Sequence, residues 1–390
     1  MRTFPIILPC HFGLEAVLKR EINDLGYDIE QVEDGRVTIL GDADAVCRTN
    51  IFLRTAERVL ICVGRFKAFT YDELFENVKA CPWDEFIPED GRFWVTKAST
   101  VNSTLYSPSD IQSIVKKAMV EKLKQTYDKE WFDESGADYP VRVFINKDEV
   151  TVCLDTTGDS LHKRGYRIKA GKAPISETLA AALILMTPWR KDRILVDPFC
   201  GSGTFVIEAA MIAANIAPNI APGMNREFTA EKWTNFIEKK LWYDAVSDAE
   251  DEINTNIDTD IQGYDIDPEV VRTAKENAVR AGVEKLVHFQ VRPVSELSHH
   301  GKYGFIITNP PYGERLEEAA TLPAIYSDLG RQFALLDTWS AYMITSYEDA
   351  EKYIGRKADK NRKIYNGMIK TFYYQFLGPK PPKRNKTMGD

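Results

Sequence analysis

Two short segments of this chain have residue types and spacing that could do chemistry: Asp197-Pro198-Phe199-Cys200-Gly201-Ser202-Gly203-Thr204, and further on Asn309-Pro310-Pro311-Tyr312. Asp197 follows an apolar stretch that reads as a β-strand, and an open parallel sheet binds its ligands at such strand ends. Gly201 and Gly203 let the backbone approach a ligand without a Cβ in the way. Phe199 lies within the same loop. A helix starting near Thr204 offers unpaired N–H groups. Between the two segments, Gly263-Tyr264-Asp265-Ile266-Asp267 reads as a second strand end. Asp265 there is placed to grip ribose hydroxyls, and Ile266 to cover one face of an adenine. A glycine pair alone would be weak evidence. The loop and the acidic strand end in this order imply a nucleotide-like cofactor with an amino-acid tail, S-adenosylmethionine.

Asn309-Pro310-Pro311-Tyr312 implies a clamp for a planar amino nitrogen. An exocyclic amine on a base is a poor nucleophile, because its lone pair is delocalised into the ring. Acceptors for its N–H groups push the nitrogen toward a tetrahedral form. The Asn309 side-chain carbonyl and the Pro310 backbone carbonyl are two such acceptors. Tyr312 can stack on the ring, a contact worth about 1–3 kcal/mol per base. The chemistry expected is methyl transfer to an amino group, and it requires no metal.

The elements around these segments must position them. The first part of the chain reads as α+β: strands at 4–8, 37–40 and 92–99, helices at 13–25, 43–53, 71–80 and 109–127, and a hairpin of 141–145 with 149–154. Ser109 or Asp110 is the expected cap of the long helix. From 173 the rhythm changes to alternating helices and strands. Strands are expected at 193–196, up to 267, at 287–291, 305–308 and 341–345. A hairpin covers 363–377, with Asn366-Gly367 favouring a type I′ turn. This is the pattern of a doubly wound sheet with an antiparallel end. Ala217–Ile261, with Trp233, Phe236 and Trp242, breaks the rhythm and reads either as a lid or as a helical insertion packed on the side.

Composition sets the frame. The chain has 390 residues, 44% hydrophobic and 28% charged, which suits two or three globular domains. No apolar run approaches the roughly 18 residues of a membrane span. The N-terminus is too quickly polar for a signal peptide, so a cytoplasmic location is expected. Six scattered cysteines without a C-x-x-C pair, and five histidines, argue against a zinc site or disulfide framework. Net charge is −8, yet the charge is uneven. Lys163, Arg164, Arg167, Lys169 and Lys172 form a basic stripe, and the tail adds Lys380, Lys383, Arg384 and Lys386, whereas 244–260 is acidic. Local basic stripes are compatible with RNA binding. Lys163, Arg164 and Arg167 are the candidate phosphate contacts, and a solvated linker is the alternative reading. Arg315 could meet RNA or pair with a carboxylate.

On these residues the chain resembles a known group. Asp197–Phe205, Ala221–Met224, Gly263–Asp267, Asn309–Leu316 and the connector Leu161–Arg167 are similar to the class I methyltransferases that carry an N-terminal THUMP domain. Within these the chain is most similar to the bacterial 23S ribosomal RNA guanine-N2 methyltransferases of the RlmL/YpsC type. The resemblance implies a ferredoxin-like piece at 1–55, a THUMP RNA-binding domain at 56–160, a basic linker at 161–172 and a Rossmann-like class I methyltransferase domain at 173–390. It also implies that Asp197, Gly201, Gly203 and Asp265 hold the cofactor and that Asn309, Pro310 and Tyr312 hold the base. Ser176, Glu177 and Thr178 match the helix start bordering the methionine end of the cofactor. The expected partner is RNA, with no membrane and no obligate protein partner. Two departures stand out. Gln290-Val291-Arg292-Pro293-Val294 lacks the acidic residue that many relatives use to read the adenine amino group, which leaves that task to backbone groups. The chain also lacks the second methyltransferase domain of some relatives, so dual modification is not expected. Transfer RNA, adenine N6, a protein glutamine and a non-catalytic assembly role are the competing functions.

Overall fold

The computed structural model describes residues 2–167, 175–220, 226–313 and 316–382. They form two compact units, one of 1–161 with 226–251 and one of 162–225 with 252–390.

The first unit is built on one seven-stranded sheet in the order β2-β3-β1-β4-β7-β6-β5. Its strands are β1 (Phe4–Pro9), β2 (Ile29–Glu33), β3 (Arg36–Gly41), β4 (Leu60–Lys67), β5 (Arg92–Val101), β6 (Asp138–Asn146) and β7 (Glu149–Asp155). β1 pairs with β4 through Ile6–Ile61 and Ile7–Leu60, so residues on either side of position 55 share a sheet. Helices α1 (Glu15–Asp24), α2 (Ala43–Phe52), α3 (Tyr71–Ala80) and α4 (Pro108–Tyr127) accompany it. The cap of α4 is Ser107, whose side chain accepts from the Asp110 amide, rather than Ser109 or Asp110. Pro108 explains the shift: its fixed φ suits the first helical position, so the cap must precede it. β4 was not apparent in the sequence. It is interrupted by Gly64 at an irregular register, where a Cβ would lie 2.5 Å from the Cys81 sulfur.

The second unit carries the helix α5 (Glu177–Leu185), then β8 (Leu195–Asp197) and α6 (Thr204–Ala213). The next helix, α7 (Lys239–Asp251), belongs to the first unit. The chain then returns with β9 (Ile261–Asp265), α8 (Pro268–Arg280), β10 (Val287–Val291), β11 (Phe305–Thr308), α9 (Leu316–Leu335), β12 (Ser340–Thr345), α10 (Ala350–Ile354), β13 (Lys360–Asn366) and β14 (Ile369–Phe376). The sheet order is β10-β9-β8-β11-β12-β14-β13. β10, β9, β8, β11 and β12 run parallel, and β14 and β13 are antiparallel. This is the doubly wound, Rossmann-like sheet with an antiparallel end. The central parallel strands β8 and β11 are short and apolar because both faces are covered, as for Leu195, Val196, Ile306 and Ile307. The terminal turn differs from the expected type I′. Asn366 pairs with Ile369, so the turn residues are Gly367 and Met368. Only Gly367 has positive φ, at 61°, which is the type II′ requirement.

The segment that breaks the sequence rhythm is settled by its aromatic residues. Trp233 is fully buried in the first unit, stacks on Tyr139 at 4.8 Å and donates from its indole to the Asp138 carbonyl at 2.7 Å. Phe236 packs edge-on against Phe4 and Phe86, and Asp248 pairs with Arg48 at 2.6 Å. These anchors make 226–251 a built-in part of that unit. A lid would leave such rings free to come and go.

Candidate active site

β8 ends at Asp197, and the next six residues turn into α6 with Gly203 at its N-cap, φ +87°. A Cβ on Gly203 would lie 2.9 Å from the Phe289 ring and 3.1 Å from the Ala274 Cβ, so only glycine fits. Gly201 also has positive φ, at 52°, but a Cβ there would meet nothing within 4 Å. Open space therefore lies beside the loop at Gly201. The Gly201 amide donates to Asp265 Oδ2 at 3.0 Å, and the Asp267 amide donates to Oδ1 at 3.1 Å. The Asp265 carboxylate, with about four acceptor positions, keeps capacity for a ligand hydroxyl. Burial raises the Asp265 pKa, and hydrogen bonds from the Asp267, Gly201 and Ile266 amides oppose that. Ile266, the next residue, is 73% exposed, an apolar side chain left open at the end of β9. These features fit an adenosyl cofactor: backbone without side chains, acceptors for hydroxyls and an apolar plate.

Asp197 is more deeply set than the sequence suggests. Its carboxylate is buried, and Oδ1 accepts from the Phe199 amide at 3.1 Å and from the Thr308 hydroxyl at 2.5 Å. Burial pushes its pKa up to about 7, which the Thr308 and Phe199 hydrogen bonds oppose and the charge of Asp265 reinforces. Thr308 is the last residue of β11, the strand paired with β8 through Phe305–Leu195 and Ile306–Val196. One hydrogen bond therefore ties the glycine loop to the residue preceding Asn309. Nothing in the sequence singled out Thr308 beyond its position before Asn309.

Asn309-Pro310-Pro311-Tyr312 leaves the C-terminal end of β11, as expected. The Tyr312 hydroxyl donates to Asn309 Oδ1. The Tyr326 hydroxyl, from α9, donates to the Pro311 carbonyl at 3.1 Å and pairs with the Thr345 hydroxyl at 2.6 Å. Tyr326 is fully buried and was not visible as a site residue in the sequence. Gly313, at φ +77°, ends the described loop, and a Cβ there would lie 2.7 Å from Leu322. After β10, Pro293 precedes a short 3-10 turn, and the Arg292 amide donates to the Asp265 carbonyl at 2.9 Å.

Ser176 caps α5, accepting from the Leu179 amide at 3.4 Å. Glu177 and Thr178 behind it are buried, and Glu177 engages Arg167, whose Nε donates to Oε1 at 3.1 Å. This corrects the assignment of Arg167 as a phosphate contact, because its guanidinium is committed to Glu177 and to the Ile175 carbonyl. Burial alone would lower the Arg167 pKa, but the Glu177 carboxylate outweighs it and raises it. Arg164 is corrected more firmly. It is fully buried, with Nε 3.5 Å from Glu208 of α6, which also accepts from the Tyr166 hydroxyl at 3.1 Å. A side chain without solvent contact cannot reach a phosphate. Only Lys163 of the three is exposed. Ala221–Met224, Lys169, Lys172, Arg315, Lys383, Arg384 and Lys386 lie outside the described residues.

Residues 164–375 match the family model described as the RMKL-like methyltransferase domain, 5–60 the RlmL ferredoxin-like domain, and 68–155 the THUMP domain. The chain is 48% identical over 389 residues to YpsC of Bacillus subtilis (strain 168), a candidate RNA methyltransferase, covering 99% of each chain. It is 46% identical, with TM-score 0.91 and 97% of each chain covered, to a Listeria monocytogenes structure named as an N6-adenine-specific DNA methylase. It is 40% identical, with TM-score 0.90, to SMU.472, a candidate methyltransferase solved with S-adenosylhomocysteine, covering 98% of this chain and all of that one.

Proposed function

The chain belongs to the RMKL-like methyltransferase family, and from that premise we propose that it methylates the exocyclic N2 of a guanine in RNA, with 23S ribosomal RNA as the substrate. The enzyme is S-adenosylmethionine-dependent. When bound, the cofactor supplies a methyl group on a sulfonium, an electrophile strong enough that alignment is the main task. Effective-molarity effects can supply roughly 7–11 kcal/mol of such a barrier. The observation that carries the reading is the Thr308–Asp197 hydrogen bond, because it fixes the amine clamp beside the glycine loop at the shared end of two paired strands.

The residues divide the work. Gly201, Gly203 and the α6 N-terminus, with Phe199 and Thr204, hold the amino-acid end of the cofactor. Asp265 takes the ribose hydroxyls and Ile266 the adenine. Ser176 fixes the start of α5 beside them, while Glu177 and Thr178 support that helix from behind. Asp197 positions rather than touches: its carboxylate fastens the loop to β11. Asn309 Oδ1, with the lone pair that Tyr312 does not occupy, and the Pro310 carbonyl accept from the guanine amine and localise its lone pair toward the methyl group. Tyr312 stacks on the base, and Pro311 is held in place by Tyr326. The THUMP-containing unit supplies RNA affinity.

The test is radiolabelled methyl transfer to separated ribosomal and transfer RNA pools lacking native modification, with nucleoside mass spectrometry. N2-methylguanosine in protein-free large-subunit RNA is expected, and Asn309→Ala should abolish it. The same nucleoside only in transfer RNA would change the substrate. N6-methyladenosine would overturn the base assignment, in line with the name of the Listeria structure.

A further inference from the structure

The last hairpin of the methyltransferase sheet has a chemistry that neither the cofactor loop nor the amine clamp uses. Residues 360–389 hold eight lysines and arginines and no acidic residue, on a chain of net charge −8. In the described part, one face of β13 and β14 carries Lys363, Tyr365, Lys370 and Phe372. Lys363 lies opposite Phe372 and Tyr365 opposite Lys370 across the strands. Along the strands, Lys363 Nζ sits 5.1 Å from the Tyr365 ring centre and Lys370 Nζ 5.3 Å from that of Phe372. The result is a square of alternating cations and rings. The other face, with Ile364, Thr371 and Tyr373, is buried. At the turn, Met368 is 97% exposed.

The register places this square at the catalytic end of the sheet. Thr308 of β11 is level with Met343 of β12, and Thr345 of β12 is level with Phe372 of β14. Phe372 is thus two residues past the level of Thr308, and β14 begins three residues before it, so the hairpin projects about 17 Å beyond the end of β11, from which Asn309 leaves, at about 3.4 Å per residue. It lies three strand spacings to the side, about 14 Å at roughly 4.8 Å each. A few nucleotides of extended chain bridge that gap.

We propose that this hairpin face is a docking track for the single-stranded RNA flanking the target base, with Lys363 and Lys370 on phosphates and Tyr365 stacking a base. This rests on the reading of the substrate as RNA. Alternating cations and aromatic rings are what single-stranded nucleic acid requires, since each nucleotide offers a charge and a π-face. The other use of lysine on an edge strand is to block edge-to-edge aggregation. Phe372 is half-buried against the core of the sheet, and edge protection explains the charges of β13, but neither accounts for the exposed Tyr365 ring beside Lys363 or the exposed Met368.

The experiment titrates protein-free large-subunit ribosomal RNA against the full chain across a salt series, with transfer kinetics alongside. For Lys363→Gln with Lys370→Gln, the slope of log affinity against log salt should become shallower by about 1.4, two single-strand phosphate contacts at about 0.7 each. KM for RNA should rise, while kcat and S-adenosylhomocysteine affinity stay at wild-type values. Lys363→Arg with Lys370→Arg should behave as wild type. Tyr365→Ala should weaken RNA binding roughly tenfold, the loss of one stacked base, and Tyr365→Phe should restore it. An unchanged slope and KM in the glutamine variant would overturn the proposal. So would aggregation of that variant with an unchanged slope in its soluble fraction, which identifies edge protection instead. A wild-type chain that binds S-adenosylhomocysteine but no RNA would remove the RNA reading itself, and this proposal with it.

Discussion

The buried carboxylate of Asp197 makes a prediction whose sign and size follow from its surroundings. Its pKa rises from 3.8 to about 7 in the folded protein, through burial first. Below pH 4 the group is protonated in both folded and unfolded chains and costs nothing. Between 4 and 7 the unfolded chain ionises freely while the folded one holds its proton, so the folded state loses stability as pH rises. Above 7 the loss is complete. The full displacement is worth about 4 kcal/mol at 1.36 kcal/mol per pH unit, and about 1.7 kcal/mol of it is already lost at pH 5. Asn at this position keeps an acceptor for the Phe199 amide and Thr308 and has no charge to bury. Asp197→Asn should therefore gain about 2 to 3 kcal/mol relative to wild type between pH 5 and pH 8. The measurement is urea denaturation of both proteins at intervals across that range, compared as a difference so that other titrating groups cancel. Parallel curves would show that the carboxylate is ionised in the folded state at pH 5, and the account of Asp197 as a buried neutral clamp would be refuted.

Three further outcomes are expected. Asn309→Ala should lower kcat at least a hundredfold, the scale seen when a group that stabilises the transition state is deleted, with S-adenosylhomocysteine affinity by calorimetry unchanged. Asp265→Ala should act the other way round, weakening cofactor binding by roughly one to two orders of magnitude, as loss of hydrogen bonds to a charged group implies; normal affinity in that variant would refute its ribose role. Glu208→Ala removes the carboxylate beside the fully buried Arg164 and Tyr166, and should cost about 3–5 kcal/mol in denaturation, without specific loss of the salt dependence of RNA binding.

The candidate site was legible because its determinants are local. A strand-end acid, two glycines with positive φ and a helix start follow one another within eight residues, and Asn309-Pro310-Pro311-Tyr312 is contiguous. What lay hidden depends on partners distant in sequence. The stripe from Lys163 to Lys172 reads as a solvated, phosphate-seeking linker because lysine and arginine are seldom buried. Arg164 and Arg167 are instead turned inward onto Glu208 and Glu177. A signal was present: Glu208 is the one charged residue of α6, Thr-Phe-Val-Ile-Glu-Ala-Ala-Met-Ile-Ala. An acid in so apolar a helix requires a buried cation, and the connector supplies one. The aromatic residues of 226–251 were ambiguous for the same reason, since Trp233 reads as an anchor only once Tyr139 is known to lie beneath it. α9 was masked by the internal Pro323.

The same contrast bears on where RNA is met. Once Arg164 and Arg167 are withdrawn from the surface, the connector keeps Lys163 as its exposed described cation. The basic residues on the described face of β13 and β14 have no acid among their strand neighbours, since the whole stretch from 360 to 389 contains none. A cation already matched by a buried carboxylate gains nothing from a phosphate, while one matched only by an aromatic ring keeps its charge available. The salt slope of RNA binding is therefore expected to respond to Lys363 and Lys370 and to stay indifferent to Arg164→Gln. Comparable losses of slope in both would show that the connector opens when RNA binds and that the buried pairs are part of a moving element.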